Sequence, residues 1–344
     1  MFDTGDYNVT LQIPNNNYVA LNLYPHDLES IQEYLKQIDV RDEKTLIVLF
    51  GGFQCFQEQC SWIDPINEFL NDKENPLIVF NGRLNEDFTV PNKKFLCKKI
   101  SMFELVSNFY WSQSDSNKNW IEDSYRKRNK KFYWASSKDW YIRRYILSGL
   151  IQNNLLDDGL VNYKCLYTDI PGNWLTYYVD PSLINQIENE CNLISNRVPL
   201  PHLDNTVEFY QTNIEFYLDS FLGIVTDTFY DQGIFFSEKI FNAMNYQQLF
   251  FYFGHQGSLK YLKNKGYEIF DDIIDTSYDD IAESGARLIA ARKSLLDFLN
   301  QPIEKIRQAY EKKLPAIIHN KNHVQQQRPD LEFTNTIQNY LNEH

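Results

Sequence analysis

Positive charge falls short of negative charge in this sequence. Thirty-three Lys and Arg stand against 46 Asp and Glu, leaving a net charge of −13. An acidic chain is repelled by phosphate backbones at long range, so broad non-specific binding to nucleic acid or anionic membrane is disfavoured. Cysteine is also sparse. Cys55, Cys60, Cys97, Cys165 and Cys191 make five. The number is odd, and Cys55 and Cys60 have no second close pair to complete a zinc site. All five read as reduced thiols of a cytoplasmic protein. No apolar run approaches the ~20 residues that a membrane span needs. The opening MFDTGDYNVT has neither a basic region nor an apolar one, so no signal peptide is expected. There is no GxSxG elbow, Walker A loop, GxGxxG or HExxH, which removes common hydrolase, P-loop, dinucleotide and zinc-protease readings. The six histidines are scattered, and a turn position is the default for His255.

Aromatic residues, in contrast, abound. Tyr 23 and Phe 24 raise the aromatic share to 15%, within 43% hydrophobic residues overall. A large core is therefore within reach, and 344 residues suggest two domains of ordinary size. The wealth of Asn, Ile, Lys, Tyr and Phe hints at an AT-rich genome.

Short apolar runs alternate with amphipathic ones, the α/β pattern. Tyr18–Tyr24 reads as a strand, followed by a helix with Leu28, Ile31, Tyr34 and Leu35 on one side. Residues 45–52, 76–83 and 94–100 read as buried parallel strands, with a helix over residues 61–70. Residues 111–120, 168–174 and 196–205 read as irregular. Lys131–Ala135 reads as a strand. Ser136 and Asp139 open a helix that runs to about Leu156, with Gly159 near its end. Phe221–Phe229 reads as a strand and its exit turn, residues 234–236 as a short strand, and Leu249–Gly254 as a buried one. A helix closed by Gly266 and a third strand over Tyr267–Phe270 complete a βαβαβ half. Residues 286–319 read as helical, and residues 319–330 as a polar break. The expected architecture is α/β, with two Rossmann-like domains facing across a cleft. Its expected segments are residues 1–125, 126–285 and a helical tail, 286–344, packing back on the first domain.

Chemistry is most legible at Ser237-Glu238-Lys239. If Ser237 starts a helix, its free N–H groups form an anion site. Glu238 suits that end of the dipole, whereas Lys239 gives up about 0.3 kcal/mol or more there. Such a local conflict marks either a functional position or an ordinary surface pair. In the functional reading, Lys239 holds a diphosphate and Glu238 accepts from ribose hydroxyls.

The stretch FLGIVTDTFYDQGIFFSEKIFNAMNYQQLFFYFG, with Asp275-Thr276-Ser277-Tyr278-Asp279 after it, resembles the C-terminal half of GT-B glycosyltransferases. It is similar to the motif region of α1,3-fucosyltransferases, and more so to viral and bacterial glycosyltransferase-like proteins. For a viral source the compartment would be host cytoplasm. The likeness covers residues 216–281, with a weaker match over residues 131–159. It implies a GT-B enzyme that moves a sugar from a nucleotide diphosphate, UDP- or GDP-linked, to a hydroxyl acceptor. A glycan is the first choice of acceptor, and a hydroxylated base in viral DNA or an inactive nucleotide- or carbohydrate-binding protein is the alternative. Ser237, Glu238, Lys239, Thr226, Asp227 and Gly254 would then contact the donor. The fucosyltransferase Glu-Asn stretch is absent, and Thr226-Asp227-Thr228 stands nearby.

Arg126, Lys127, Arg128, Lys130 and Lys131 form a basic cluster, with Arg143 and Arg144 beyond it. Arg143 or Arg144 is expected to reach the diphosphate. Adjacent helical residues point about 100° apart, so one of the two should face the ligand. The cluster also reads as a solvated basic face or, with Tyr133, Trp134 and Trp140, as a nucleic-acid patch. Asp-x-Asp is missing, so metal-independent chemistry without a cofactor is expected. An inverting transfer needs a general base, for which Glu58 and Asp64 are named, with Glu86 and Asp87 as further candidates.

Overall fold

In a computed structural model of the chain, the structure describes residues 2–3, 8–9, 18–22, 46–51, 77–81, 96–99, 127–136, 141–163, 189, 214–227, 230, 233–327, 335–336 and 338–340. The chain divides into two compact units, residues 1–105 with 328–344, and residues 106–327. The sequence reading expects breaks at 125 and 285. Helices placed there in a separate tail instead belong, as far as residue 327, to the second unit.

In the first unit, a two-residue pair, β1 (Phe2–Asp3) and β2 (Asn8–Val9), is antiparallel. The sheet proper comprises β3 (Tyr18–Asn22), β4 (Leu46–Gly51), β5 (Leu77–Asn81) and β6 (Leu96–Lys99). All are parallel and adjacent in chain order. Continuous apolar runs such as LIVLF and LIVF are what parallel strands require, and each expected strand is present with slightly trimmed ends. The helices expected between these strands lie outside the described residues.

The second unit holds β7 (Lys130–Ser136), β8 (Gly159–Tyr163), β9 (Ser220–Thr226) and β10 (Leu249–Phe253). They are parallel, in the order β10-β9-β7-β8. Taken in chain order the sheet runs 2-1-3-4, so its connections leave in opposite directions from the boundary between β7 and β9. That boundary is a topological switch point, and ligands of open parallel sheets bind beside the carboxyl ends of the strands there.

Among the described residues, six helices accompany this sheet: α1 (Tyr141–Gln152), α2 (Ile214–Asp219), α3 (Glu238–Asn245), α4 (Ser258–Asn264), α5 (Ser284–Leu299) and α6 (Ile303–Gln326). Between α1 and β8, Leu156–Asp158 makes one 3₁₀ turn. β9 is buried along its whole length, and Phe250, Phe251 and Phe253 of β10 are buried beside it. Each such side chain contributes about 1.5–3 kcal/mol on leaving water.

Four local expectations are corrected. Gly159 opens β8 instead of ending a helix; the ring of Phe132 occupies the space its Cβ would need. Residues 234–236 are not in the sheet. Tyr267–Phe270 is no strand either, because the side-chain amide of Asn320 takes both backbone groups of Glu268. Asn320 Oδ1 accepts from the Glu268 N–H and Nδ2 donates to its carbonyl, each at 2.8 Å. The polar break expected after residue 319 is helix as far as Gln326, where His319 and His323 cap the carbonyls of Gly266 and Lys265.

Candidate functional site

The carboxyl ends of β7 and β9 are tied together across the switch point. Trp134 Nε1 donates to Thr226 Oγ1 at 3.3 Å, and Arg143 Nη2 on α1 lies 3.4 Å from the Thr226 carbonyl. Arg143 is buried and Arg144 is half-exposed, so the adjacent arginines part as helical geometry requires. The parallel ladder extends one residue further, where the Asp227 N–H donates to the Phe253 carbonyl at 3.1 Å.

Asp227 is buried in the turn after β9. Its Oδ1 and Oδ2 lie 3.3 and 3.4 Å from the Ser237 N–H, at the mouth of α3. The Tyr252 hydroxyl also bonds to Oδ2 and reaches the Phe235 carbonyl at 2.5 Å. Burial pushes the Asp227 carboxyl up to about 6; the bonds from Ser237 and Tyr252 and the charge of Lys239 oppose that rise, and Glu238 adds to it. Gly254 makes the arrangement possible. A Cβ there would collide with the Tyr252 ring, so only glycine lets the phenol fold along the strand end toward Asp227.

Ser237 has the extended backbone of an N-cap, but its hydroxyl makes no capping bond to α3. That oxygen is buried and has no hydrogen-bond partner among the described residues. Glu238 is buried as well. One of its oxygens takes the Lys239 ammonium at 2.6 Å, and the other, Oε2, is buried without a hydrogen-bond partner among the described residues. The Lys239 side chain retains 22% of its exposure. The first turn of an eight-residue helix thus presents backbone N–H groups, an unsatisfied hydroxyl and an unsatisfied acceptor in one place. Unpaired buried polar atoms cost about 1–3 kcal/mol each, and a ligand that supplies their partners recovers that cost.

The segment Asp275–Asp279 serves as a brace. Asp275 accepts from the Ser277 N–H at 2.9 Å. Tyr278 stacks on Phe251, its ring centroid 5.2 Å away, and donates to the Tyr252 carbonyl at 3.0 Å. Asp279 takes the Leu259 and Lys260 N–H groups at 3.2 and 3.0 Å, capping α4 from about twenty residues downstream. Among the described residues, no group of three or more His, Cys, Asp or Glu side chains is placed to hold a metal ion.

Among the described members of the basic cluster, Arg128, Lys130 and Lys131 are engaged within the fold. Arg128 is buried and donates to the carbonyls of Tyr217, Ser220, Tyr246 and Gln247, with its guanidinium 5.1 Å from the Tyr310 ring. Lys131 donates to the Leu299 carbonyl at 2.9 Å and pairs with Asp158 at 2.7 Å. Lys130 donates to the Asp157 carbonyl. Tyr133 and Trp134 are core residues, closed to stacking on bases. These positions give no support to a DNA acceptor. Arg126, Trp140, Glu58, Asp64, Glu86 and Asp87 lie outside the described residues. The sequence reading missed Tyr252 because it sits in an unbroken apolar run; only the neighbouring glycine signals how its ring must turn.

No family model matches the chain, and no curated protein matches it by sequence. Solved structures similar to it include the α,α-trehalose-phosphate synthase (UDP-forming) of Burkholderia vietnamiensis. It is 11% identical with a TM-score of 0.44, over 92% of this chain and 77% of that one. The α,α-trehalose 6-phosphate synthase of Burkholderia multivorans is 12% identical, with a TM-score of 0.42 over 87% and 73%. An α1,3-fucosyltransferase is 11% identical, with a TM-score of 0.34 over 86% and 89%. These structural neighbours are GT-B glycosyltransferases, at low identity.

Proposed function

We propose that the chain is a glycosyltransferase that moves a sugar from a nucleotide diphosphate to a hydroxyl acceptor, with the donor held at the first turn of α3. One observation carries this reading. Among the described residues, Ser237 Oγ and Glu238 Oε2 are buried and without hydrogen-bond partners at a helix N-terminus, at the carboxyl edge of a parallel sheet and linked through Asp227 to its switch point. A nucleoside diphosphate matches that set. Its phosphate oxygens accept from the backbone N–H groups and from Lys239. Its ribose hydroxyls donate to Glu238. The resemblance of residues 216–281 to the GT-B motif region supports the same assignment.

In the reaction, the bond between the anomeric carbon and the diphosphate oxygen breaks, and its electron pair leaves with the diphosphate. The acceptor oxygen forms the new bond to that carbon, and its proton passes to a general base. Negative charge grows on the leaving diphosphate, and the helix dipole, Lys239 and Arg143 are the groups proposed to stabilise it. Glu58 or Asp64 is proposed as base. A glycan is the proposed acceptor.

The test is incubation with a set of UDP- and GDP-linked sugars, reading release of the nucleoside diphosphate. Release from one donor is expected, and Lys239→Ala should lower it about a hundredfold, the weight of a typical leaving-group contact. Thermal stabilisation by nucleotide without release would reduce the protein to a binder. Unchanged turnover in the variant would remove Lys239 from the reaction.

A further inference from the structure

The Tyr252 hydroxyl has one hydrogen and two acceptors against it, Asp227 Oδ2 and the Phe235 carbonyl. If Asp227 is a carboxylate, the single hydrogen goes to one of them, and two oxygens face each other at hydrogen-bond distance with nothing between. If Asp227 is protonated, its own O–H donates to the Tyr252 oxygen and Tyr252 donates to Phe235. Every contact is then a hydrogen bond. The geometry favours the acid form, and burial acts in the same direction.

Charges around this proton come from several elements. Glu238 and Lys239 stand on the first turn of α3, and the Ser237 N–H faces the carboxyl from the start of that turn. Asp279, beneath α4, acts on Tyr252 along with the nearby Ser258 hydroxyl. Arg143 approaches from α1 through the Thr226 carbonyl. An anion laid on the first turn of α3 adds negative charge next to Asp227, because the Ser237 N–H that borders that turn is the one Asp227 accepts from.

We propose that Asp227 is a positioning residue carried as the neutral acid, and that its proton is linked to anion binding at α3, the protonated form holding the ligand more tightly. This deepens the proposed function and rests on its placement of the donor diphosphate. Linkage fixes the sign. An anion that raises the affinity of Asp227 for its proton is itself bound more weakly once that proton leaves. Affinity therefore falls as pH rises through the range in which the ligand-free carboxyl titrates. A loss of about tenfold is expected between about pH 5.5 and 7.5, within the usual span of coupling between neighbouring sites.

The experiment is calorimetric titration of the full chain with UDP and with GDP across that pH range, for wild type and Asp227→Asn. The terminal phosphate titrates equally in both, so the difference between them isolates Asp227. Wild type should lose about tenfold more affinity than the variant. It should also take up protons on binding near pH 6.5, seen by comparing buffers of different ionisation enthalpy. Proton uptake is also read on the wild type with a UDP-linked sugar, whose doubly esterified diphosphate does not titrate in this range, so a variant that fails to fold does not remove the test. Binding with equal pH dependence in the two proteins, or without proton uptake, overturns the linkage while leaving the site in place. Binding of neither nucleotide at any pH overturns the linkage and the donor site together.

Discussion

At the scale of single residues, a buried carboxyl organises the site. Among the described residues, the groups bonded to Asp227 are a backbone N–H and a phenol, and neither carries a charge. Its carboxyl is raised from 3.8 to about 6, so the folded state binds the proton more firmly than the unfolded chain. The stability it lends is therefore fully present below about pH 4 and is lost as pH rises through about 6. A rise of that size corresponds to a loss on the order of 3 kcal/mol, at about 1.4 kcal/mol for each tenfold change in proton affinity. Asp227→Asn removes the titration, and chemical unfolding at pH 4.5, 5.5, 6.5 and 7.5 reads the difference. The gap in stability between wild type and variant should move against the wild type by about 2 kcal/mol across that series. A constant gap would mean that Asp227 ionises as an ordinary surface carboxyl does. Gly254 belongs to the same cluster, since its missing side chain is what admits the Tyr252 ring.

Elements show which parts of the fold local sequence dictates. The strands announce themselves through apolar runs, and all four in the first parallel sheet were readable, as were the central strands of the second. The helix start at Ser237 was readable from a polar triplet set between apolar segments. What escaped reading depends on distant partners. Tyr267–Phe270 has the composition of a strand, but Asn320, fifty-two positions from Glu268, consumes the backbone bonds of that residue. The candidate site was legible in part. Lys239 stood out through its conflict with the helix dipole and drew attention to Glu238 beside it, whereas Tyr252 looked like one more buried aromatic. The Asp275–Asp279 segment was visible as a pattern, and its work as a brace appears only when Asp279 is seen on α4. Asp279→Ala should cost about 1–2 kcal/mol, as removal of a helix cap does. Asn in its place should recover part of that. Urea unfolding of the two variants separates a capping carboxylate from one whose loss leaves stability unchanged.

For the whole molecule, the two units, each holding a parallel sheet, carry different kinds of topology. The first described sheet adds strands in chain order, and the second contains a switch. This difference favours the second unit as the place of the proposed donor, where the chain turns away on both sides of β7 and β9. A net charge of −13 makes the choice of anchoring groups more pointed, since the proposed anionic donor would have to be held against the field of the whole protein. Backbone N–H groups at a helix start supply a local positive pole without adding a residue charge. Among the described residues, no helix is long and apolar enough to cross a membrane.

Backbone amide exchange in the presence and absence of UDP or GDP locates the ligand directly. Occupation of the first turn of α3 should slow exchange at residues 237–240, whose N–H groups have no carbonyl four residues back within the helix. Nucleotide binding that leaves those amides unchanged, and protects another segment instead, would contradict the placement of the donor at Ser237-Glu238-Lys239.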